Sequence, residues 1–282
     1  MISVIILNYN DGENSIKVAK NALQDVNIDK AIIVDNCSPD GSYEQLKRYE
    51  NDNLIVLKSD KNGGFAYGHN FGINYVFHNF DPEIIITINS DVVIENSVID
   101  AHIDFLREHK EYGLVSCAIR ERNGEMSKRP CWSYPSLIDM IMYCGCITRK
   151  LYTPRNPIIN DCEFMNVDAV RGSFMCFNAK ALKLANGFDE NTFLYNEENI
   201  ISRRLKAVGY QVAFLPRHEY LHNHKITDKK QVVDLKPGFD SGYYYATTYG
   251  GVCGIKKYIL RICISIGLFE NHIMKLLKEN SK

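Results

Sequence analysis

At 282 residues, 45% of them hydrophobic and 24% charged, the chain is long enough to bury a large core and has the balance of a globular α/β protein. A formal net charge of −1 leaves no basic excess to neutralise phosphates, which argues against a nucleic-acid partner. The nine cysteines are scattered and, apart from Cys144 and Cys146, unpaired in spacing; they suit reduced thiols better than a zinc site or a disulfide framework.

In chain order, the β-branched run Ile2 to Leu7 predicts a strand covered on both faces. An amphipathic stretch over 14–25 predicts a helix. A strand Ala31–Asp35, a turn at Ser38-Pro39-Asp40-Gly41 and a helix over about 42–49 follow. The strand Leu54–Lys58 leads into a Gly-rich loop, Asn62 to Gly68, and a helix toward Phe77. A strand Glu83–Asn89 and a helix near 97–109 complete a βαβαβαβ rhythm, which implies a mostly parallel sheet with right-handed crossovers. Beyond residue 112 the pattern changes. A strand Leu114–Ile119 precedes the hairpin signal Asn123-Gly124, with a polar ribbon returning through Met126–Cys131. Residues 132–165, with Pro135, Pro154 and Pro157 among aromatics, read as an irregular insertion or lid. A strand Val167–Phe177 precedes a helix from Ala179 to Gly187. A second helix over 197–208 stops at Gly209, the position glycine favours just past a helix end. Gln211–Leu215 reads as a short strand, 216–238 as a polar loop rich in His and Lys, and the tail from Tyr243 as helical.

The first residues lack the basic, apolar and small-residue segments of a signal peptide, and no run of about 18 uncharged apolar residues occurs. The expected location is cytoplasmic, with at most a peripheral contact at the inner face of the membrane.

Ligands of open parallel sheets bind beyond the carboxyl ends of the strands. That rule selects Asn8-Tyr9-Asn10, Asp35-Asn36, the segment Lys61–Asn70 and Asn89-Ser90-Asp91. Each has a bland reading: Asp35 and Asn36 can initiate a turn, Asp91 can cap a helix, and His222 and His224 can simply be solvated. Glu197 and Glu198 open a helix, where acidic groups complement the macrodipole. In the sharper reading, glycines at 63, 64 and 68 let backbone approach a nucleotide, Asp35 accepts a hydrogen bond from a base or ribose, and Asp91 holds a hard cation.

These segments together resemble family 2 glycosyltransferases of the GT-A fold, especially the bacterial rhamnosyltransferase-like branch of cell-surface polysaccharide assembly. The resemblance covers roughly residues 1–225. It rests on ILNYN (6–10), VDNCSPDGS (34–42), NGGFAYGHNFGI (62–73), INSDVVI (88–94), the stretch VRGSFMCFNAKALKLANGFDENTFLYNEE (170–198) and YLHNH (220–224). It implies a Rossmann-like, mixed, mostly parallel sheet flanked by helices. The nucleotide-sugar-binding half would lie at about 1–112, the acceptor and catalytic half at about 113–225, and a polar loop with a C-terminal helical tail at 226–282. The donor, a UDP- or dTDP-sugar, would meet Asn8, Tyr9, Asn10, Asp35, Asn36, Asn62, Gly63, Gly64, Phe65, Ala66, Gly68, Asn70, Asn89 and Ser90. Asp91 and His222 would hold Mn²⁺ or Mg²⁺, although the usual Asp-x-Asp is here Asn89-Ser90-Asp91. Arg171, Gly172, Ser173 and Glu197 would line the acceptor or sugar pocket. Glu198 would be the general base of an inverting transfer to a glycan or lipid-linked glycan, standing where the family has Asp; a later Asp of that motif is Ile200.

Two other readings stay open. A noncatalytic member that binds nucleotide-sugar or glycan would suit the missing first Asp and Ile200. A sugar-phosphate nucleotidyltransferase would need a G-x-G-x-R pattern after the first strand, where Asn8-Tyr9-Asn10-Asp11-Gly12 stands instead. In the tail, apolar residues at spacings of three and four from Ile255 to Leu276 form one helical face. That face is expected to pack on the catalytic domain or a second subunit or, with the local basic excess, to rest on an anionic membrane.

Overall fold

The computed structural model describes residues 1–145, 147–152, 156–224 and 235–279. The first half follows the predicted rhythm: β1 (Ile2–Asn8), α1 (Gly12–Ala22), β2 (Lys30–Asp35), α2 (Ser42–Lys47), β3 (Leu54–Lys58), α3 (Gly64–Asn79), β4 (Ile84–Asn89), the short β5 (Val92–Val93) and α4 (Asn96–Glu108). The second half contains β6 (Tyr112–Glu121), β7 (Cys131–Trp132), α5 (Leu137–Cys144), α6 (Thr148–Leu151), β8 (Met165–Val167), β9 (Ala169–Val170), β10 (Phe174–Asn178), α7 (Ala179–Leu184), α8 (Glu197–Ala207), β11 (Gln211–His222), α9 (Lys236–Thr248) and α10 (Ile255–Glu279).

Nine strands form one sheet in the order β3-β2-β1-β4-β10-β6-β11-β5, with β8 on β11. β3, β2, β1 and β4 are parallel, and β10 lies antiparallel between β4 and β6. Because β11 is parallel to β6, six strands run one way and their carboxyl ends share one edge. Strands such as Ile84–Ile88 are buried throughout because helices cover both sides of the sheet. One core packs α1 and α4 residues such as Ala19 and Ile103 against Ile6 and Ile33, and the other packs Ile73, Leu182 and Leu205 against Ile5 and Ile32.

Several expectations change. The stretch 167–177 is not one strand: β8, β9 and β10 are separated at Asp168 and at Arg171–Ser173, which frees backbone groups beside the site. The return ribbon after Asn123-Gly124 shrinks to a single bridge between Arg120 and Met126. The insertion 132–165 carries two helices, the first closed by a capping box between Ser136 and Asp139. β11 runs seven residues past Leu215 to His222, because it resumes pairing with β6 after a register shift between Leu215 and Glu219. Pro216, which has no N–H to donate, sits in that irregularity. The expected polar loop therefore begins later, and residues 225–234 lie outside the described residues.

The tail is docked on this body. The Tyr244 and Tyr249 hydroxyls donate to Asp189 at 2.9 and 2.5 Å, and Arg204 pairs with the same carboxylate at 3.1 Å. α5, α9 and α10 then share a small core of Cys144, Ala246, Val252, Leu260 and Ile264.

Candidate active site

At the carboxyl ends of β1 and β2, Asn8 lies opposite Asp35 in register. The Asn8 amide donates to Asp35 Oδ2 at 2.7 Å, and the Ser38 N–H donates to Asp35 Oδ1 at 3.0 Å. The Asp35 carboxylate is fully buried, so it organises the strand ends from beneath. Asn36, also buried, donates to Asn62 Oδ1 and to the Gly64 carbonyl, both at 3.1 Å, and ties the second strand end to the loop before α3. Tyr9 and Asn10 project outward; Tyr9 is 47% exposed.

The Gly-rich segment is less a loop than a helix start. Gly63 is the residue just before α3, and the helix begins at Gly64. A Cβ on Gly64 would fall 2.0 Å from the Phe193 carbonyl oxygen, and φ there is +89°. A Cβ on Gly68 would meet Leu7 at 2.3 Å. Both glycines thus serve close packing within the protein. Ala66 is buried and Phe65 packs edge-on against His69 and Phe188. Asn70 brackets the Phe188 backbone through both amide atoms, at 2.9 and 3.0 Å.

The end of β4 leads to a different kind of cluster. The Asn89 N–H donates to the Ser173 carbonyl, and the Ser90 hydroxyl donates to Asp11 at 2.8 Å. β5 pairs with the end of β11, placing His222 opposite Val92, and the Asn223 N–H donates to the Asp91 carbonyl. His222 Nε2 and His224 Nδ1 consequently reach Asp91 Oδ2 at 3.3 and 3.0 Å. One ligand atom from each of the three lies within 4.8 Å of the others. Glu121 faces the other nitrogen of His222 at 3.7 Å, the usual support for a metal-binding imidazole. Asp91 Oδ1 is buried without a partner. Burial alone would raise the pKa of Asp91, but the two histidines hold it below its ordinary value; the Asp91 carboxylate in turn raises that of His222. A convergent carboxylate and two imidazoles, with one carboxylate oxygen unpaired, fit a divalent transition ion. His224 was not among the expected ligands; the sequence offered only its i+2 spacing from His222, and the turn after β11 supplies the rest.

A second group of polar side chains forms a wall beside Gly172. Tyr195 and Asn196, at φ +71° and +70°, turn the chain sharply into α8 and set Glu197 and Glu198 in its first turn. The Gly172 N–H donates to Glu198 Oε1 at 3.3 Å. Glu197 is buried and its Oε1 has no partner; burial first, and Glu198 second, push its pKa up to about 8. Burial also raises that of Glu198, while Arg171 and Arg129 oppose the shift. Pairing of β7 with β9 brings those arginines together, and Arg171 Nη2 donates to the Arg129 carbonyl at 3.3 Å. Arg129 lies over the rings of Trp132 and Tyr143, and the Nε of each arginine is buried without a partner. Trp132 is fixed in turn by Asn199 of α8 at 2.8 Å.

Glu198 and Arg171 face a cavity of about 480 Å³, walled by Arg129, Trp132 and Tyr143, and closed from the far side by Phe239, Tyr243, Leu260 and Ile264 of α9 and α10. Ser173, buried and bonded to the Tyr220 hydroxyl at 2.6 Å, stands behind this wall. No motif in the sequence announced Arg129, Trp132 or the helical wall, because these contacts join segments up to 135 residues apart.

The sequence profile described as Glycosyl transferase family 2 matches residues 3–183. The chain belongs to that family. The rhamnosyltransferase WbbL of Escherichia coli (strain K12) is 25% identical over 163 residues, 56% of this chain and 60% of WbbL. This chain thus spans less than two thirds of that relative's length. The low-salt glycan biosynthesis hexosyltransferase Agl10 of Haloferax volcanii is 22% identical over 226 residues, 80% of this chain and 68% of Agl10. In structure, the mannosyltransferase PcManGT from Pyrobaculum calidifontis, in complex with GDP-Man and Mn²⁺, superposes over 100% of this chain and 75% of its own, with a TM-score of 0.59 at 13% identity. The fold is GT-A.

Proposed function

We propose that this protein is an inverting glycosyltransferase of glycan assembly that moves a sugar from a nucleoside-diphosphate-sugar to an acceptor hydroxyl, with Glu198 as general base. The observation that carries this reading is the continuity of the site. The Gly172–Ser173 segment holds Glu198 on one side and the Asn89 end of β4, two residues from Asp91, on the other.

The acceptor enters the cavity beside Glu198. As its hydroxyl oxygen attacks the anomeric carbon, Glu198 takes the proton, and the nucleoside diphosphate departs from the opposite face of the sugar. Positioned proton removal of this kind contributes about 10²–10⁴-fold. Arg171 and Arg129 keep the buried Glu198 able to ionise, and their unpaired N–H groups suit an acceptor with anionic or hydroxyl-rich groups. A divalent ion held by Asp91, His222 and His224 would compensate the negative charge of the leaving diphosphate. Two nitrogen donors favour Mn²⁺ over Mg²⁺, which prefers oxygen; PcManGT, bound to Mn²⁺ and GDP-Man, supports that part of the reading. On the donor side, Asp35 and Asn36 hold the strand-end platform in shape from below, and Tyr9 offers a ring to the base or ribose.

The test pairs binding with turnover. Thermal shifts with UDP-, dTDP- and GDP-sugars, with Mn²⁺ or Mg²⁺, identify the donor, because a ligand of the native state raises apparent stability. Release of nucleoside diphosphate upon adding acceptor is then expected, faster with Mn²⁺. Saturable donor binding without diphosphate release across an acceptor panel would favour the noncatalytic reading.

A further inference from the structure

α10 has two apolar faces, and the described residues cover only one. At 100° per residue, Leu260, Ile264 and Leu268 fall on one side and pack into the small core with α5 and α9. Ile255, Ile259, Ile262, Ile266, Phe269 and Ile273 fall on the opposite side and are between 39 and 75% exposed. Among the described residues, the stripe the sequence predicted therefore does not pack on the catalytic domain. It extends for about 30 Å at 1.5 Å per residue, a longer apolar row than soluble monomers leave bare.

Charge decides between the occupants of this face. Lys256 and Arg261 are exposed along its borders. From Val252 to Lys282 the chain has six Lys or Arg against two Glu, a local excess of +4 in a chain of net −1. A second copy laid stripe to stripe would bring like-charged borders together, whereas an anionic surface complements them. α6, which packs on α5, and the residue before it show the same mixture: exposed Ile147 and Leu151 with Arg149 and Lys150 between them. No described helix is long and apolar enough to cross a membrane.

We propose that α10 lies in the plane of an anionic phospholipid surface, its outer stripe at the acyl boundary and its Lys and Arg side chains at the headgroups. The inner face of the same helix, through Leu260 and Ile264, walls the cavity of Glu198. Docking thus holds that cavity against the lipid surface. This surface binding does not depend on the reaction assigned to the cavity.

The experiment sediments the full chain with phosphatidylcholine vesicles, with and without phosphatidylglycerol, in the absence of donor and metal. The chain should pellet with anionic vesicles and be released by high salt. The double variant Ile262→Glu, Ile266→Glu changes only exposed side chains. It should bind about tenfold more weakly or less, with an unchanged circular dichroism spectrum and an unchanged thermal shift by donor. Equal binding by variant and wild type, or no binding by either, overturns the proposal. So does a concentration-dependent dimer in place of vesicle binding, if the variant dissociates it. Failure in any of these ways leaves the transferase reading standing, since diphosphate release is measured separately.

Discussion

The platform of Asn8, Asp35 and Asn36, proposed to take the donor, and the wall around Glu198, proposed to be catalytic, share one sheet edge but are finished differently. At the platform, the polar side chains of Asn8, Asp35, Asn36 and Asn70 bond to one another or to nearby backbone. At the wall and the metal cluster, Asp91 Oδ1, Glu197 Oε1 and the Nε atoms of Arg129 and Arg171 are buried without partners. Each such group costs about 1–3 kcal/mol, so the second region is stable at a sacrifice that a ligand would relieve. An orphaned polar atom alone does not mark a site. His69 also has two unpartnered nitrogens, yet it sits among Phe65 and Phe188, and burial drops its pKa to about 3, leaving it neutral in a dry core. What separates Arg129 and Arg171 from His69 is the cavity they line, and what separates Asp91 is the pair of imidazoles beside it.

The largest effect is expected at Glu198. Glu198→Gln should lower turnover by about 10²–10⁴-fold while donor binding stays nearly intact. Near-normal turnover at saturating acceptor would pass the role to Glu197. The next largest effect is expected at the metal cluster. Asp91→Asn or His224→Ala should weaken Mn²⁺-dependent donor binding about tenfold or more, read by calorimetry, and chelation should inactivate the wild type. Activity that survives exhaustive chelation would leave the diphosphate charge to cationic side chains.

At the platform the effect should be structural first. Asp35→Ala strands the Ser38 N–H and weakens the hold on Asn8, at about 1–3 kcal/mol in urea unfolding. A variant of wild-type stability that loses only donor affinity would make Asp35 a direct ligand instead. A pH-dependent effect is expected at Glu197. Between the ordinary carboxylate range and about 8, the native state retains a proton that the unfolded chain has released, so stability falls as pH rises through that window. Glu197→Gln should match the wild type in thermal unfolding at pH 5 and exceed it at pH 8.5. Parallel curves at both values would show that Glu197 is not held protonated.

The pattern that was legible in sequence is the local one. β3 was read to the residue, and the α/β order of the first half follows from apolar runs whose period matches their burial. The motifs also single out Asp91 and Glu198, which the Gly172–Ser173 segment links in the fold. Nonlocal geometry was not legible. The glycines at 64 and 68 look like a nucleotide loop until Phe193 and Leu7 are seen against them. β11 hid its second half behind Pro216, because a register shift repairs what proline breaks. The cavity wall of Arg129 with Trp132, of Arg171 and of Tyr243 comes from three distant segments whose meeting no short spacing records. The tail stripe was read correctly as a face, but its partner could not be, since burial of Leu260 and Ile264 on the other side turns that face outward.

The antiparallel insertion of β10 between β4 and β6 has a consequence for biosynthesis. When the ribosome has made the first 112 residues, β1 to β4 are complete, but the free edge of β4 is a row of isoleucines whose pairing partner is residues 174–178. An open apolar edge of this kind recruits other chains. Sheet closure must therefore wait until about residue 178 has emerged, a long-range pairing that folds slowly. A fragment ending near residue 112 would carry the donor-side motifs and still be an aggregating half-sheet.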